Sequence, residues 1–370
     1  MKIMIVNRHM DTTLGGSEIQ CDLISRNLTR MGHEIVYIAD GSQKVNEHPY
    51  TVVPVEKLNF FSFLRNIKKY KPDIIYWRRN KTKLMQGVLA AKLKKVKFVY
   101  SLSHVKDVTK GNCVKVAYSG NIFCRGKQFL SGVKRGVGEK INLRAISKVD
   151  GVVSLQKCLL DYLPSEKFSE QNSVCIYNSM EYSPSIDFVW DKPYIVWVAN
   201  IKHPKRPELY IQLAKDFENS GVDFLMIGAI QNSDYNYILD KTKIPSNLIY
   251  LGSKPVHEVD AILQKALMMV HTCEPEGFGN NFIQAWYSRI PTLTVSFDPD
   301  NLIQDNEIGY YTGSYDVLKE KFAYLLENDE LRCRMGTNAE KIAGELFVPE
   351  LNAKKLEEFL SKMLNHSTGA

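Results

Sequence analysis

Two stretches of this chain, about 190 residues apart, open alike: a short apolar run, a loop, then apolar residues at helical spacing. The first is KIMIVN (2–7), a loop reaching Leu14-Gly15-Gly16-Ser17-Glu18, and a segment in which Ile19, Leu23, Ile24 and Leu28 recur on one helical face. Met31-Gly32-His33 breaks that helix, and EIVYIA (34–39) reads as the next strand. The second opening is YIVWVAN (194–200), then IKHPKRP, a helix from Glu208 to about Phe217, and the strand GVDFLMIG (221–228). Further β-like runs are DIIYW (73–77), KFVYSL (97–102), DGVVSL (150–155), NLIYLG (247–252), LMMVHT (267–272) and PTLTVSF (291–297). Strands separated by helices imply parallel sheets covered on both faces. The expected fold is therefore α/β, with two doubly wound, Rossmann-like parallel-sheet domains at 1–177 and 178–349. They are joined near CIYNSMEYSPSIDFVWDKP (175–193). An amphipathic C-terminal helix (350–366) can pack back on the first domain or on the second.

A length of 370 residues suits two such domains. With 44% hydrophobic and 24% charged residues the chain falls outside the disordered, collagenous and disulfide-stapled classes. No run approaches the roughly 18 apolar residues of a membrane span. The start MKIMIVNRHM lacks the apolar core and cleavage site of a signal peptide, and the seven cysteines include no C-x-x-C pair. Reduced thiols and a cytoplasmic location are expected. The net charge of +7 divides unevenly. Residues 1–177 hold 30 Lys+Arg against 14 Asp+Glu, a net of +16, and residues 178–370 hold 18 against 27, a net of −9. The basic half thus suits an anionic counterpart.

The most informative stretch is VHTCEPEGFGNNFIQAWYSRIPTLTVS (270–296): a strand ending at Thr272, a glycine-punctuated loop, and a helix from about Asn280. In open parallel sheets, ligands bind beyond the carboxyl ends of strands. Gly277 and Gly279 permit close backbone approach, and the following helix N-terminus offers free N–H groups to an anion. Taken alone, such a loop is equally an ordinary strand-to-helix turn.

The wider pattern resembles family 4 glycosyltransferases. Glu276, Gly277, Phe278, Gly279 and Pro291 match the family's signature, while Gln284 stands where a second acid is usual. Gly15-Gly16-Ser17-Glu18 is similar to the first glycine loop, and SLSHVKD (101–107) puts His104 at the place of an active-site histidine. KVDGVVSLQ (148–156), CIYNSME (175–181) and VANIKHPKRPE (198–208) follow in order, with Tyr177 and Ser179 replacing Pro and Gly in the linker. The resemblance spans about residues 1–345.

It implies the GT-B fold, with the two domains facing a cleft, and transfer of a sugar from a nucleotide-diphosphate donor to an acceptor hydroxyl with retention. No metal or other cofactor is implied; the co-substrate is a UDP- or GDP-linked sugar. The C-terminal domain would hold the donor and the N-terminal domain the acceptor. Charge that develops on a leaving diphosphate needs positioned cations and N–H donors. Lys205 or Arg206 matches the leaving-group cation. Asn200 replaces a second, usual arginine, so that either Lys202 or Arg206 substitutes or phosphate neutralisation is weaker than usual. Glu276 would face the donor sugar, and the backbone of Phe278, Gly279 and Asn280 would lie along sugar and diphosphate. Gln284 would take the ribose contact, an amide oxygen accepting without a carboxylate's charge. Gly15 and Gly16 would let N–H groups approach the diphosphate or acceptor, and Glu18 also suits the helix dipole. Asp298-Pro299-Asp300 imitates the metal-binding D-x-D of another glycosyltransferase fold but reads here as a turn; Cys113 and Cys124 have no paired ligand spacing.

Residues 57–97 carry 13 Lys+Arg and one acid, Asp73, interleaved with Phe60, Phe61, Phe63, Tyr70, Tyr76 and Trp77. Basic and aromatic side chains together suit an anionic membrane surface, or equally a solvated face over a core. No nucleic-acid motif accompanies the charge. The sequence reading is a transferase of cell-surface polysaccharide, lipopolysaccharide, capsule or lipid-linked acceptors, peripheral on the inner face of the cell membrane. The alternatives are a catalytically silent homologue acting as a binding subunit, and a nucleotide-sugar epimerase. Gly15-Gly16 lacks the G-x-G-x-x-G spacing of a nicotinamide dehydrogenase.

Overall fold

The computed structural model describes residues 1–13, 15–109, 138–182, 187–275 and 277–365. The chain divides into two compact units: Met1–Asn178 with Pro349–Ala370, and Ser179–Val348.

The first unit is built on a seven-stranded parallel sheet. Its strands are β1 (Lys2–Asn7), β2 (Glu34–Asp40), β3 (Thr51–Val55), β4 (Ile74–Trp77), β5 (Lys97–Leu102), β6 (Gly151–Ser154) and β7 (Ser173–Cys175). Their order is β3-β2-β1-β4-β5-β6-β7. Central strands read as continuous apolar runs because both faces are covered. Met4 and Val6 of β1 enter one core with Phe63, Ile67 and Trp77, whereas Ile3 and Ile5 enter the other with Leu356, Phe359 and Leu360. The latter three lie on the C-terminal helix Pro349–Asn365, so that helix covers the first sheet. Its Asn352 Nδ2 donates to the Tyr177 carbonyl at 3.2 Å.

The second unit holds a six-stranded parallel sheet: β8 (Tyr194–Val198), β9 (Asp223–Ile227), β10 (Leu248–Gly252), β11 (Met269–His271), β12 (Thr292–Thr294) and β13 (Gly309–Tyr311). Its order is β10-β9-β8-β11-β12-β13. Trp197, Tyr210, Phe224 and Phe322 fill its core. Each sheet therefore has one point where the strand order turns from one direction to the other: between β1 and β4, and between β8 and β11.

Three strands escape the sequence pattern. TVVPV (β3) is an edge strand, and Pro54, which cannot donate to a ladder, sits where only its other neighbour would need the N–H. SVC (β7) and GYY (β13) are edge strands of three residues each, too short to show a period. No helix among the described residues is long and apolar enough to cross a membrane. Cys113 and Cys124 lie outside the described residues, and none of the five described cysteines forms a disulfide.

Candidate active site at the strand-order reversal of the second sheet

Ligands of doubly wound sheets sit beyond the carboxyl ends of the strands where the order reverses. In the second unit those ends belong to β8 and β11, and the loops that leave them are tied together. Trp197 Nε1 donates to Thr272 Oγ1 at 2.9 Å, and Thr272 Oγ1 donates to the Lys205 carbonyl at 2.7 Å. The Glu274 N–H donates to the Pro204 carbonyl at 2.9 Å, and Asn281 Nδ2 donates to the Val198 carbonyl at 2.9 Å. The loop after β9 closes the other side. Gly228 has φ +144°, and a Cβ there would meet the Ala199 carbonyl oxygen at 1.8 Å. Only glycine permits that backbone-to-backbone approach.

Two cations are placed by this frame. Lys205 ends a short turn, His203–Lys205, with its N–H bonded to the Lys202 carbonyl at 2.9 Å. Arg206 follows in the left-handed region, φ 47°, a conformation disfavoured for a non-glycine residue. There it precedes the helix Pro207–Asp216, and its Nη1 donates to Ser296 Oγ at 2.8 Å, beyond the end of β12. Strain of this kind persists where surrounding bonds over-determine it, and it collects at ligand sites. Lys202 is half-buried and Asn200 exposed. On the flank, His203 Nε2 lies 3.0 Å from Asp234, and the Tyr235 hydroxyl lies 3.1 Å from His203 Nδ1 and 3.2 Å from Glu208. Burial, then the Glu208 carboxylate, pushes that hydroxyl up to about 12, so it stays a proton donor at neutral pH.

Beyond β11, Gly279 caps the helix Asn280–Tyr287 without a side-chain bond, and the first turn contains no acid. The Phe282 N–H is met by Asn281 Oδ1 at 3.0 Å, and no first-turn carboxylate offsets the positive end of the helix. The Phe278 ring is buried against Trp286 and Phe347. The ring is thereby taken up by the core of the second unit. Gly277 and Asn280 are half-buried. Glu276 lies outside the described residues.

Gln284 is not a surface residue. It is buried and donates from Nε2 to Asp260 Oδ1 at 2.7 Å. Burial holds the Asp260 carboxyl above the ordinary carboxylate range. A glutamate at this position would set two carboxylates in contact, which explains the amide in physical terms. Asp260 and Ser296 are partners that the sequence did not signal, since each lies in an ordinary helix or strand pattern.

In the first unit the corresponding ends belong to β1 and β4. Asn7 Nδ2 donates to Ser17 Oγ at 2.9 Å, fixing the glycine loop against β1. Gly15 caps the helix Gly16–Arg30 without a side-chain bond. A Cβ on Gly15 would meet Glu18 Oε2 at 2.5 Å, so the Glu18 carboxylate folds back over the cap. His104 caps the short helix Val105–Val108. Its Nδ1 accepts from the Lys106 N–H at 3.0 Å, which leaves the proton of the neutral ring on Nε2, and its own N–H donates to Asp107 at 3.0 Å. Asp298 accepts from the N–H groups of Ile303 and Gln304, at 2.9 and 3.2 Å, as a turn residue does.

Comparison with known proteins places this geometry. A glycosyltransferase from Rickettsia africae aligns over 100% of this chain and 99% of its own, with 16% identity and a TM-score of 0.73. Anabaena HepE in complex with UDP aligns over 98% and 100%, with 15% identity and a TM-score of 0.75. The fold is GT-B. WaaG, a glycosyltransferase involved in lipopolysaccharide biosynthesis, shares this GT-B arrangement over 95% of the chain and 98% of its own, at 15% identity and a TM-score of 0.68. Residues 180–342, almost the whole second unit, match the family model of glycosyl transferases group 1. No curated protein matches the chain by sequence.

Proposed function

We propose that this protein is a glycosyltransferase that moves a sugar from a nucleotide-diphosphate donor to a hydroxyl of a glycan or lipid-linked acceptor, with retention at the anomeric carbon. The observation that carries the reading lies within residues 180–342, the segment that matches group 1 glycosyl transferases. There Lys205, Arg206 and the glycine-capped helix start at Gly279-Asn280 lie beyond the carboxyl ends of the sheet's strands. Such a place suits a diphosphate whose negative charge grows as the glycosidic bond breaks, and positioned cations with N–H donors stabilise that charge without a metal ion. Glu276 takes the donor sugar, Lys202 and Asn200 border the diphosphate, and Gln284 with Asp260 shapes the nucleoside end. His104, Gly15 and Gly16 serve the first unit's side of the reaction. HepE, with UDP bound, is a precedent for a uridine nucleotide in this fold.

The basic stretch 57–97 supports peripheral attachment to an anionic membrane, on the cytoplasmic face. The structure divides its large apolar side chains: Phe63, Tyr76 and Trp77 are core, whereas Phe61 is 75% exposed and Leu93 65%. Lys68, Lys69, Lys92, Lys94 and Lys95 are exposed on the same helices or just beyond them. Each basic group near such a surface contributes about 1 kcal/mol. Flotation with anionic vesicles at low salt, lost at high salt, is the expected result; no association at low salt would remove this part of the proposal.

A panel of UDP- and GDP-sugars, read by thermal shift, tests the main reading, because a ligand that binds only the folded state raises the melting temperature. One nucleotide class should stand out, and product should form with a glycan acceptor. The exposed Asn200 and the paired Gln284 favour one second reading, a nucleotide-binding subunit without turnover. Calorimetric binding with neither transfer nor donor hydrolysis would select it.

A further inference from the structure

Beyond the proposed transfer site, the first unit holds a cluster of metal-ligating side chains drawn from three separate segments. His9 comes from the loop after β1, Asp22 from the helix Gly16–Arg30, and His48 from the connection between β2 and β3. One donor atom from each lies within 4.8 Å of the others. His9 is fully buried and Asp22 nearly so. The His9 and His48 rings meet at 4.5 Å, near perpendicular.

The two imidazoles are oriented alike. Each turns one nitrogen outward to the same carboxylate: Asp11 Oδ2 lies 3.0 Å from His48 Nε2 and 3.4 Å from His9 Nδ1. Asp11 is itself fixed by the Asn46 N–H at 2.8 Å. Each turns its other nitrogen inward: His48 Nδ1 lies 3.8 Å from Asp22 Oδ1, and His9 Nε2 lies 3.2 Å from the Tyr50 hydroxyl, which donates to the same Asp22 oxygen at 2.6 Å. The far oxygen of Asp22 accepts from Arg26 Nε at 2.8 Å. A carboxylate facing the distal nitrogen of each histidine is the outer-shell arrangement of protein metal sites.

We propose that His9 Nε2, His48 Nδ1 and Asp22 form a binding site for one divalent cation of the zinc type, with the Tyr50 oxygen or a water completing four-fold coordination. Two imidazoles and a carboxylate are a donor set suited to such an ion. For His9 to ligate through Nε2, its proton moves to Nδ1 and is held by Asp11, in place of the 3.3 Å bond that Nδ1 now accepts from the Asp11 N–H. Bound there, the ion fastens the β2–β3 connection to the loop that runs into Gly15. It is a structural clamp on the glycine loop, outside the transfer chemistry.

The test is titration of the chelator-stripped full chain with Co²⁺, read by visible absorption, followed by competition with Zn²⁺ and a melting curve. One equivalent should bind with a tetrahedral nitrogen/oxygen spectrum and no intense thiolate charge-transfer band, and Zn²⁺ should displace it and raise the melting temperature. His48→Gln, at a side chain 13% exposed, should weaken binding at least tenfold while keeping the wild-type circular dichroism. Asp11→Asn, which leaves all three ligands, should weaken it about 10- to 100-fold. No stoichiometric binding by the wild type, a thiolate spectrum, or equal affinity in His48→Gln would overturn the proposal.

Discussion

After β1 the first unit starts a helix at Gly16 with Glu18 folded back over its glycine cap; after β11 the second starts one at Asn280 with no acid in its first turn. Both helices stand at the point where their sheet's strand order turns, and both are capped by glycine. A carboxylate at a helix N-terminus contributes about 0.3–1 kcal/mol and occupies the position an incoming anion would take. The first end therefore supplies its own anion, whereas the second has no first-turn acid and follows a strand end at which Thr272 is bonded to the Lys205 carbonyl. The difference is the ground on which the proposed function puts the diphosphate at the second unit, although that half of the sequence is the acidic one. Local placement, rather than net charge, decides where an anion binds.

The largest effect should come from Arg206→Ala. Removing one positioned donor to a developing anion costs about 10²- to 10³-fold in turnover, so steady-state transfer rates should fall by that factor with the fold intact. Next is Gly228→Ala, which forces a side chain at φ +144° into the Ala199 carbonyl. A loss of about 3 kcal/mol or more is expected in urea unfolding, with the β8 loop the first region to lose hydrogen-exchange protection.

Gln284→Glu should cost about 1–3 kcal/mol by setting a second carboxylate against Asp260. The pair's folded pKa values would be raised, so the deficit should vanish in acid and grow as pH rises through them; a pH-independent loss would point to shape instead. Glu18→Gln sharpens the contrast from the other side. Without its built-in anion the first helix start should bind phosphate a few-fold more tightly, by phosphate titration.

The smallest effect concerns Asp40, beside the first sheet's edge. Burial opposes its ionisation, but the Leu58 N–H at 2.9 Å, Arg79 at 2.8 Å and Lys83 together hold its carboxyl below the ordinary range. Its contribution is present above the unfolded carboxylate pKa of about 4 and lost as pH falls through the lower folded value. Asp40→Asn should remove that acid dependence.

Most of the fold was legible because buried parallel strands write themselves as apolar runs, and β1, β2, β8 and β9 stand out for that reason. Edge strands such as β3 and β13 do not, being half-wet or three residues long. The site's place was legible as a glycine-punctuated loop between a strand and a helix, although Gly279, at φ −73°, holds a conformation open to any residue. It was hidden where the decisive fact is a partner distant in sequence. Nothing in FIQAW shows that Gln284 meets Asp260, and nothing in KRP shows that Arg206 turns left-handed to reach Ser296. His9, Asp22 and His48 were missed because their spacing follows no ligand motif and only the topology brings them together.

Under the proposed function, the carboxyl ends of β8 and β11 carry the nucleotide diphosphate. Calorimetric titration of the wild type, Arg206→Ala and Glu18→Gln with UDP and with GDP tests it most directly. The wild type should bind one nucleotide per chain, Arg206→Ala should weaken that binding at least tenfold, and Glu18→Gln should preserve it. Unchanged affinity in Arg206→Ala, or no binding of either nucleotide by the wild type, would contradict the account.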